Sequence, residues 1–297
     1  MSVRIAIIGM GEAGSAFVTG WGAGAGRRAA MTCFDIKTDK PETADAMWAH
    51  YEKLGIKGCA SPAEAVAGAD LVLCTVTADQ AVAAAERAAA HLEGGAFWGD
   101  CNSCAPSSKR QAAEVIDAAG GRYVDIAVMA PVHPKRNMVP LLIAGPHAEA
   151  AAPILESLPM APRVVAGEVG AASSIKMIRS VMVKGLEALS AECVLAAVAA
   201  GVEEEVLGSL MKSHPGTDWP ARTAYNLERA MRHGARRAAE MEEVAKTLTD
   251  LGLPDDMARA TVDWQRRIAE TGLPVPDDPE AAGAKELAQS LLAKLRR

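Results

Sequence analysis

The chain has 297 residues, of which 50% are hydrophobic and 23% are charged, a balance that predicts about two globular domains and excludes a disordered chain. Its net charge of −6, from 31 basic and 37 acidic residues, argues against nucleic acid and anionic membranes as partners. No run of uncharged apolar residues is long enough to span a bilayer, and six cysteines with no export signal predict reduced thiols in the cytoplasm.

Short apolar runs alternate with helical segments through the first half of the chain. The predicted strands cover residues 3–9, 31–35, 71–74, 96–100, 123–128, 141–144 and 163–165. Ala-rich segments with helical periodicity lie between them, among them residues 79–91 and 107–119. Strands that alternate with helices in this way predict βαβ units and a parallel sheet. We expect a mixed edge where the last strands come close together.

The second half of the chain has a different pattern, with helical segments only. Helices are predicted at residues 171–200, 203–213, 219–246, 256–271 and 279–295, and Pro215, Pro254 and Pro274 mark breaks between them. The sequence therefore predicts a doubly wound α/β domain with a mostly parallel sheet over residues 1–166. An all-helical domain is expected over residues 167–297.

A glycine-rich loop follows the first predicted strand and opens a helical segment. Residues 9–14 read Gly-Met-Gly-Glu-Ala-Gly, the Gly-x-Gly-x-x-Gly pattern of dinucleotide-binding Rossmann domains. The first glycine allows the tight turn, the second allows a pyrophosphate to approach, and the third allows helix and strand to pack closely. The expected cofactor contacts are Gly9, Met10, Gly11, Glu12, Ala13 and Gly14. A glycine-rich turn without a ligand is the alternative.

Asp35 ends the second predicted strand, 21 residues after Gly14. An acidic residue at about this spacing binds the ribose hydroxyls of the adenosine, and its carboxylate repels a 2′-phosphate. The position therefore predicts NAD as the cofactor. Lys37 and Lys40 lie just beyond and leave NADP possible. A role for Asp35 as a helix cap or turn residue is the alternative.

Three further segments place polar residues at a strand end or at the start of the long helix. Residues 74–77 read Cys-Thr-Val-Thr, residues 100–106 read Asp-Cys-Asn-Ser-Cys-Ala-Pro, and residues 167–176 read Gly-Glu-Val-Gly-Ala-Ala-Ser-Ser-Ile-Lys. Together with the glycine loop, they resemble the β-hydroxyacid dehydrogenases, the family of 3-hydroxyisobutyrate and 6-phosphogluconate dehydrogenases. The resemblance covers nearly the whole chain and becomes weaker after Ala200.

The resemblance implies a role for each segment. Lys176 corresponds to the catalytic lysine of the family, which serves as general base when a hydroxyl is oxidised. A lysine can do so when burial or nearby positive charge lowers its pKa. Asn102 and Ser103 stand in the family's substrate loop. The implied cofactor contacts are Thr75, Val76, Thr77 and Asn102. The alternative for Lys176 is an ordinary helix lysine that reaches solvent.

Several positions depart from the family pattern and predict a divergent branch with its own substrate. Ser180 replaces an asparagine one turn after the lysine, and residues 125–131 lack the usual small polar and glycine residues. Arg179, Ser180, His233 and Arg237 are candidate substrate contacts. His233 and Arg237 share a helix face, where a salt-bridged structural role is the alternative. The roles of His133 and Lys184 stay open.

The resulting hypothesis is an NAD(P)-dependent oxidoreductase acting on a small 3-hydroxy acid, an anionic hydroxycarboxylate. An NADP-dependent carbonyl or imine reductase and a non-catalytic dinucleotide-binding module are the alternatives, although imine reductases usually lack the lysine. The resemblance also implies a homodimer built on the helical domain. No metal site is expected, because Cys101 and Cys104 lack a second cysteine pair.

Overall fold

A computed structural model describes residues 3–22, 31–276 and 279–295 of the chain. The chain divides into two compact units, Met1–Met177 and Ile178–Arg297. The division falls within one long helix, Ala171–Ala200, which begins in the first unit and ends in the second. A domain boundary between residues 166 and 167 stays a prediction.

The first unit contains an eight-stranded sheet. Its strands are β1 (Ile5–Ile8), β2 (Met31–Phe34), β3 (Lys57–Gly58), β4 (Leu71–Cys74), β5 (Phe97–Asp100), β6 (Arg122–Val128), β7 (Pro140–Ala144) and β8 (Ala161–Val164). The order across the sheet is β3-β2-β1-β4-β5-β6-β7-β8. Neighbouring strands are parallel except for β6 and β7, which are antiparallel. The expected α/β class and the mixed edge of the sheet are confirmed.

Helices cover the sheet and connect its strands. In the first unit they are α1 (Glu12–Gly20), α2 (Pro41–Leu54), α3 (Pro62–Val66), α4 (Ala81–Ala89), α5 (Pro106–Ala118) and α6 (Ala148–Ser157). Alternate residues of β1 contribute to two hydrophobic cores, with Ile5 and Ile7 in one and Ala6 and Ile8 in the other. Because side chains alternate across a strand, the sheet is buried on both faces.

The ends of four parallel strands bring separate sequence segments to one edge of the sheet. Gly9, Asp35, Thr75 and Cys101 each directly follow the last residue of a strand. The strand register aligns these ends, since Ile8 pairs with both Phe34 and Cys74, and Cys74 pairs with Asp100. Loops at the carboxyl ends of parallel strands are where doubly wound folds bind ligands.

The second unit is helical. It contains most of α7 (Ala171–Ala200) and all of α8 (Glu203–Ser213), α9 (Trp219–Asp250), α10 (Asp256–Glu270) and α11 (Pro279–Leu295). Its core includes Val194 of α7, Leu227 of α9, Ile268 of α10 and Leu291 of α11. The expected helical C-terminal region is confirmed. Within the described ranges, the search for membrane-spanning helices returned none.

Candidate active site

Gly9 and Gly14 are packed too closely for any other residue. Gly9 has a φ of 95°, and a Cβ added to it would lie 2.7 Å from the backbone oxygen of Thr75. A Cβ on Gly14 would lie 2.3 Å from the backbone oxygen of Gly9. The Thr75 hydroxyl donates a 2.6 Å hydrogen bond to that same oxygen. These contacts hold the loop between the start of α1 and the end of β4, as expected for the first and third glycines of the motif.

Gly11 has open space where the other two glycines have neighbours. A Cβ on Gly11 would meet no heavy atom within 4 Å. Gly11 is also the N-cap residue of α1 and, as a glycine, has no side chain that could cap the helix. A helix N-terminus carries positive potential and backbone N–H groups that favour phosphate. The loop therefore has both the room and the charge that a dinucleotide pyrophosphate requires.

Asp35 connects the glycine loop to the end of β2. Its Oδ2 accepts a 2.7 Å hydrogen bond from the backbone N–H of Met10, and its Oδ1 accepts one of 3.0 Å from Lys37. The side chain is buried, whereas Lys37 and Lys40 are exposed. Asp35 thus caps the short 3-10 helix Ile36–Asp39 and also lies beside the glycine loop. The hydrogen bond from Lys37 matches the alternative role of Asp35 as a helix cap, and the ribose contact stays a prediction.

The loop after β5 contains a buried polar side chain with an unsatisfied acceptor. Asn102 donates from its backbone to Asp100 Oδ1 at 2.9 Å and from Nδ2 to Cys74 Sγ at 3.3 Å. Its Oδ1 is buried and has no hydrogen-bond partner in the described part of the chain. A buried acceptor without a partner is costly, so this oxygen is suited to bind a ligand donor. Ser103 follows and is half-buried.

Lys176 lies near this loop in the first unit. It is half-buried and follows Ser173 in the first turns of α7. Burial raises the pKa of the Cys101 thiol to about 12, while the positive charges of Lys109 and, less strongly, Lys176 act in the opposite direction. Lys176 is therefore within electrostatic range of the segment that carries Asn102 and Ser103. The raised pKa also makes Cys101 a poor redox thiol.

The remaining expected cofactor contacts follow β4 and β1. Thr75 and Val76 are half-buried, and Thr77 is exposed before a short 3-10 helix, Ala78–Gln80. Within the glycine loop, Met10 is buried, Glu12 is exposed and Ala13 is half-buried. The described residues contain no group of three or more His, Cys, Asp and Glu side chains that could hold a metal ion.

Arg179, Ser180 and Lys184 belong to the second unit, where α7 continues. Arg179 is exposed, and Ser180 is buried and accepts a 3.2 Å hydrogen bond from Lys184 Nζ. Lys184 is 5% exposed and forms an ion pair of 2.9 Å with Glu240 of α9. Lys184 is thus a buried, paired residue and not a solvated surface lysine.

His233 and Arg237 lie on α9, and Arg237 already has a partner. Its guanidinium pairs with Glu187 Oε2 at 2.8 Å, and both side chains are buried. His233 has a pKa lowered to about 4 by burial and then by Arg229 and three further arginines of the same helix. The imidazole is therefore neutral at neutral pH. These contacts match the salt-bridged alternative for this helix face.

The sequence did not indicate Lys109, Tyr123 and Asp125 as candidate site residues, and all three are buried in the first unit. A signal for Lys109 exists, because α5 buries residues 109, 112, 113 and 116, the spacing of one helix face. A lysine on an otherwise apolar helix face is expected to be buried, and a buried ammonium needs a carboxylate or another hydrogen-bond acceptor as its partner.

Two family models match the chain. One, described as the NAD binding domain of 6-phosphogluconate dehydrogenase, covers residues 4–169, and the other, a domain of unknown function (DUF1932), covers residues 197–268. The chain belongs to the 6-phosphogluconate dehydrogenase-like family. Its first unit is an NAD(P)-binding domain, which confirms the family and the cofactor class indicated by the sequence segments.

Two solved structures share appreciable sequence identity with the chain. A conserved hypothetical protein from Sinorhizobium meliloti 1021 is 38% identical, with 99% of this chain and 97% of that chain covered and a TM-score of 0.75. MTH1747, a conserved protein of unknown function described as structurally similar to 3-hydroxyacid dehydrogenases, is 27% identical. That match covers 92% of this chain and 100% of that chain, with a TM-score of 0.66.

More distant structures share the fold alone. The 3-hydroxyisobutyrate dehydrogenase of Mycobacterium tuberculosis, solved with L-serine, is 20% identical over 98% of this chain and 99% of that chain, with a TM-score of 0.71. An imine reductase from Myxococcus stipitatus, solved with NADP+, is 19% identical over 97% and 99% of the two chains, with a TM-score of 0.53. The fold is therefore common to dehydrogenases and imine reductases.

Proposed function

We propose that the protein is an NAD(P)-dependent oxidoreductase that oxidises the hydroxyl group of a small 3-hydroxy acid, with Lys176 as the general base. The observation that carries this proposal is that the charge of Lys176 acts on Cys101, in the loop that also contains Asn102 and Ser103. That loop leaves the same edge of the sheet as the glycine loop. One reaction centre would need these three parts together: a cofactor site, a polar substrate loop and a base.

The cofactor would be held by the glycine loop, Asp35, the residues after β4 and Asn102 after β5. Bound NAD(P) supplies the hydride acceptor for the oxidation. Gly11 and the start of α1 would hold the pyrophosphate, and Asp35 would bind the ribose hydroxyls. The Asp35 carboxylate would repel the 2′-phosphate of NADP, so we propose NAD as the preferred cofactor.

Lys176 would take the hydroxyl proton as the alcohol is oxidised. A lysine accepts a proton only in its neutral form, which burial and neighbouring positive charge favour. Lys176 is half-buried. Asn102 Oδ1, which lacks a partner among the described residues, would accept a hydrogen bond from the substrate. Ser103 would add a hydroxyl donor.

Further substrate contacts are proposed on α7 and α9. Arg179, three residues after Lys176 on α7, offers an exposed guanidinium that suits a carboxylate. We propose Ser180, His233 and Arg237 as additional contacts. His233 would act as a neutral hydrogen-bonding group, since its pKa is lowered to about 4, chiefly by burial. Arg237 would bind a substrate anion only while sharing its guanidinium with Glu187.

We also propose a homodimer that forms through the helical unit. Ile178, Met182 and Leu189 of α7 are large apolar side chains, each more than half exposed. Exposed apolar side chains on one helix favour a protein interface. Light scattering should give twice the mass of the chain, and Met182→Glu should shift the mass toward that of one chain. A single-chain mass for the unmodified protein would contradict the dimer.

The proposed reaction is tested by measuring reduction of NAD and NADP with 3-hydroxyisobutyrate and L-serine. The Lys176→Met variant should lose about 10²- to 10⁴-fold in kcat, the range typical for a general base. Its thermal stabilisation by NADH should match that of the unmodified protein. Lys57→Met, at an exposed lysine, is the control and should keep full turnover. Unchanged turnover in Lys176→Met would contradict the proposal.

An NADP-dependent carbonyl or imine reductase is the second candidate. Two observations favour it: the fold shared with an imine reductase, and the exposed Lys37 and Lys40 beside Asp35. This function predicts NADPH oxidation with a ketone or cyclic imine and no turnover of hydroxy acids. A chain that binds a dinucleotide but turns over neither substrate class would instead be a non-catalytic binding module.

A further inference from the structure

A fully buried lysine joins two carboxylates in the first unit. Lys109 Nζ, on α5, donates to the backbone oxygen of Asp100 at 2.6 Å and to Asp100 Oδ1 at 3.0 Å. Asp125 Oδ1, on β6, lies 3.6 Å from the same ammonium. All three side chains are 0% exposed. Tyr123 completes the cluster, since its hydroxyl donates a 2.7 Å hydrogen bond to Asp100 Oδ2.

One side of the cluster holds the start of α7. Asp125 Oδ2 accepts hydrogen bonds from the backbone N–H of Gly170 at 3.1 Å and of Ser173 at 3.0 Å. It also accepts one from the Ser173 hydroxyl at 3.1 Å. A carboxylate at a helix N-terminus stabilises the unpaired N–H groups of the first turn. Asp125 therefore fixes the turn that precedes Lys176.

The other side of the cluster holds the loop after β5. Asp100 Oδ1 accepts the backbone N–H of Asn102 at 2.9 Å and also contacts Lys109. The loop and the start of α7 are distant in sequence, yet both are bonded to carboxylates that share one ammonium. The chain of contacts runs from Asn102 through Asp100, Lys109 and Asp125 to Ser173.

We propose that Lys109 and Asp125 are positioning residues, which keep the Asn102 loop and the Lys176 turn of α7 at a fixed separation. The proposal rests on the proposed function, in which Asn102 binds the substrate and Lys176 takes its proton. A displacement of about 1 Å between reacting groups costs roughly 10²-fold in rate. Loss of a rigid link between the two segments would therefore lower kcat more than it weakens ligand binding.

The energetics of the cluster favour a positioning role over simple stabilisation. Burial acts to lower the pKa of Lys109, but Asp100 and Asp125 raise it above its ordinary value, so the lysine is charged. A buried ion pair is often no more stabilising than apolar residues of similar volume. Lys109 shares its helix face with Ala112, Ala113 and Ile116, a stripe where an apolar residue would be the simpler choice. What the charges add is a hydrogen-bonded contact from Lys109 to Asp100 and an electrostatic contact at 3.6 Å from Lys109 to Asp125.

Hydrogen exchange tests the link without any need for substrate. Asp125→Asn keeps an oxygen for the N–H groups of α7 but loses the negative charge that faces Lys109. The side-chain hydrogen bonds of Asp125 run to α7, and the backbone pairing of Asp125 with Asp100 does not depend on the charge at residue 125. Faster amide exchange in residues 101–104 would therefore indicate that the lost charge acts through Lys109. We expect an increase of about tenfold there. Lys109→Met should likewise increase exchange at Gly170 and Ser173. Asp70→Asn is the control, because Asp70 also accepts a backbone N–H but lies outside the cluster.

Kinetics then separates positioning from folding. Asp125→Asn should lower kcat about 10- to 100-fold. The KM for the dinucleotide and the thermal stabilisation by the dinucleotide should change far less than kcat. Among the expected cofactor contacts, Asn102 is bonded to the cluster, whereas the glycine loop does not contact the cluster's carboxylates through the contacts described. Tyr123→Phe, which removes one hydrogen bond to Asp100, is the mildest variant and should show the same pattern at about two- to threefold. If Asp125→Asn or Lys109→Met fails to fold, Tyr123→Phe still provides the kinetic test.

The outcomes distinguish this proposal from the proposed function. If each variant changes exchange only in the segment it contacts directly, the link is absent and the proposal is wrong. If kcat and dinucleotide binding fall together, the cluster has only a structural role and the proposal is also wrong. If exchange is coupled but the unmodified protein oxidises no hydroxy acid, the link stands while the proposed reaction fails.

Discussion

Both units of the molecule bury basic side chains, but the two sets of contacts differ. In the first unit, the carboxylates that pair with Lys109 also accept backbone N–H groups from a loop and a helix start. In the second unit, Arg237 pairs with Glu187, and Lys184 pairs with Glu240. These pairs join the side chains of α7 and α9. Buried ion pairs thus hold backbone segments in place in the first unit, and they connect two helices in the second unit.

The pKa directions show the same difference. The Lys109 pKa is raised above its ordinary value despite burial, because two carboxylates surround it. Burial lowers the Arg237 pKa and raises that of Glu187, even though the two are paired. In the second unit, burial therefore outweighs the attraction between the partners. Removing one partner of such a buried pair is strongly destabilising, whereas replacing both partners by apolar residues of similar volume costs little stability.

The largest effect is expected where the second unit loses half of its buried pair. Glu187→Leu leaves Arg237 buried without its carboxylate and should cost about 3–5 kcal/mol of unfolding free energy. Adding Arg237→Leu should recover most of that loss. Denaturant unfolding of the two single variants and the double variant measures the coupling. A double variant as unstable as the sum of the singles would contradict this description of the pair. If Arg237 also binds substrate, the double variant should recover stability but not KM.

Within the first unit, two glycines of the same loop should behave differently. Gly14→Ala places a methyl group against the backbone oxygen of Gly9 and should cost about 3 kcal/mol in unfolding free energy. Gly11→Ala meets no protein atom and should change stability by less than about 1 kcal/mol. The same methyl group should weaken NADH binding by about tenfold, since it enters the space assigned to the pyrophosphate. Equal effects of the two substitutions on stability would contradict this description of the loop.

The smallest expected effect is a pH dependence that arises from His233. Its folded-state pKa is about 4, lowered chiefly by burial, and the unfolded value is about 6.5. The stability gained by keeping the imidazole neutral is complete above about pH 6.5 and is lost as the pH falls toward 4. The His233→Gln variant has no imidazole to protonate and does not lose this stability. As the pH falls from about 6.5 toward 4, its Tm should therefore rise relative to that of the unmodified protein by roughly 2 °C or more. His91→Gln, at an exposed position, is the control and should show no such trend.

Most of the fold could be predicted from sequence, because the segments that form it bury regular apolar patterns. The helices at 171–200, 203–213 and 279–295 have the bounds expected from the positions of their breaks. The sequence pattern misses α2, which buries only Met47 and Tyr51, and α6, which contains Pro153. It also misses β3, because two residues are too short to show alternation.

The candidate site could be predicted only in part. The glycine loop and Lys176 stand in local motifs, so their spacing along the chain identifies them. The Lys109 cluster joins α5, β5, β6 and the start of α7, and its partners are brought together only by the sheet. The pairing of Arg237 with Glu187 depends in the same way on how α7 packs against α9. Contacts between residues that are distant in sequence produce no recognisable spacing pattern in a single sequence.

The proposal for Lys176 requires a dinucleotide at the glycine loop, with Asp35 at the ribose. Titration calorimetry with NADH and NADPH, on the unmodified protein and on Asp35→Asn, tests this requirement most directly. The unmodified protein should bind NADH at least about tenfold more tightly than NADPH, a difference of about 1.4 kcal/mol. Asp35→Asn should narrow that ratio, because the charge that repels the 2′-phosphate is gone. Binding of neither dinucleotide, or a preference for NADPH that Asp35→Asn leaves unchanged, would contradict the account.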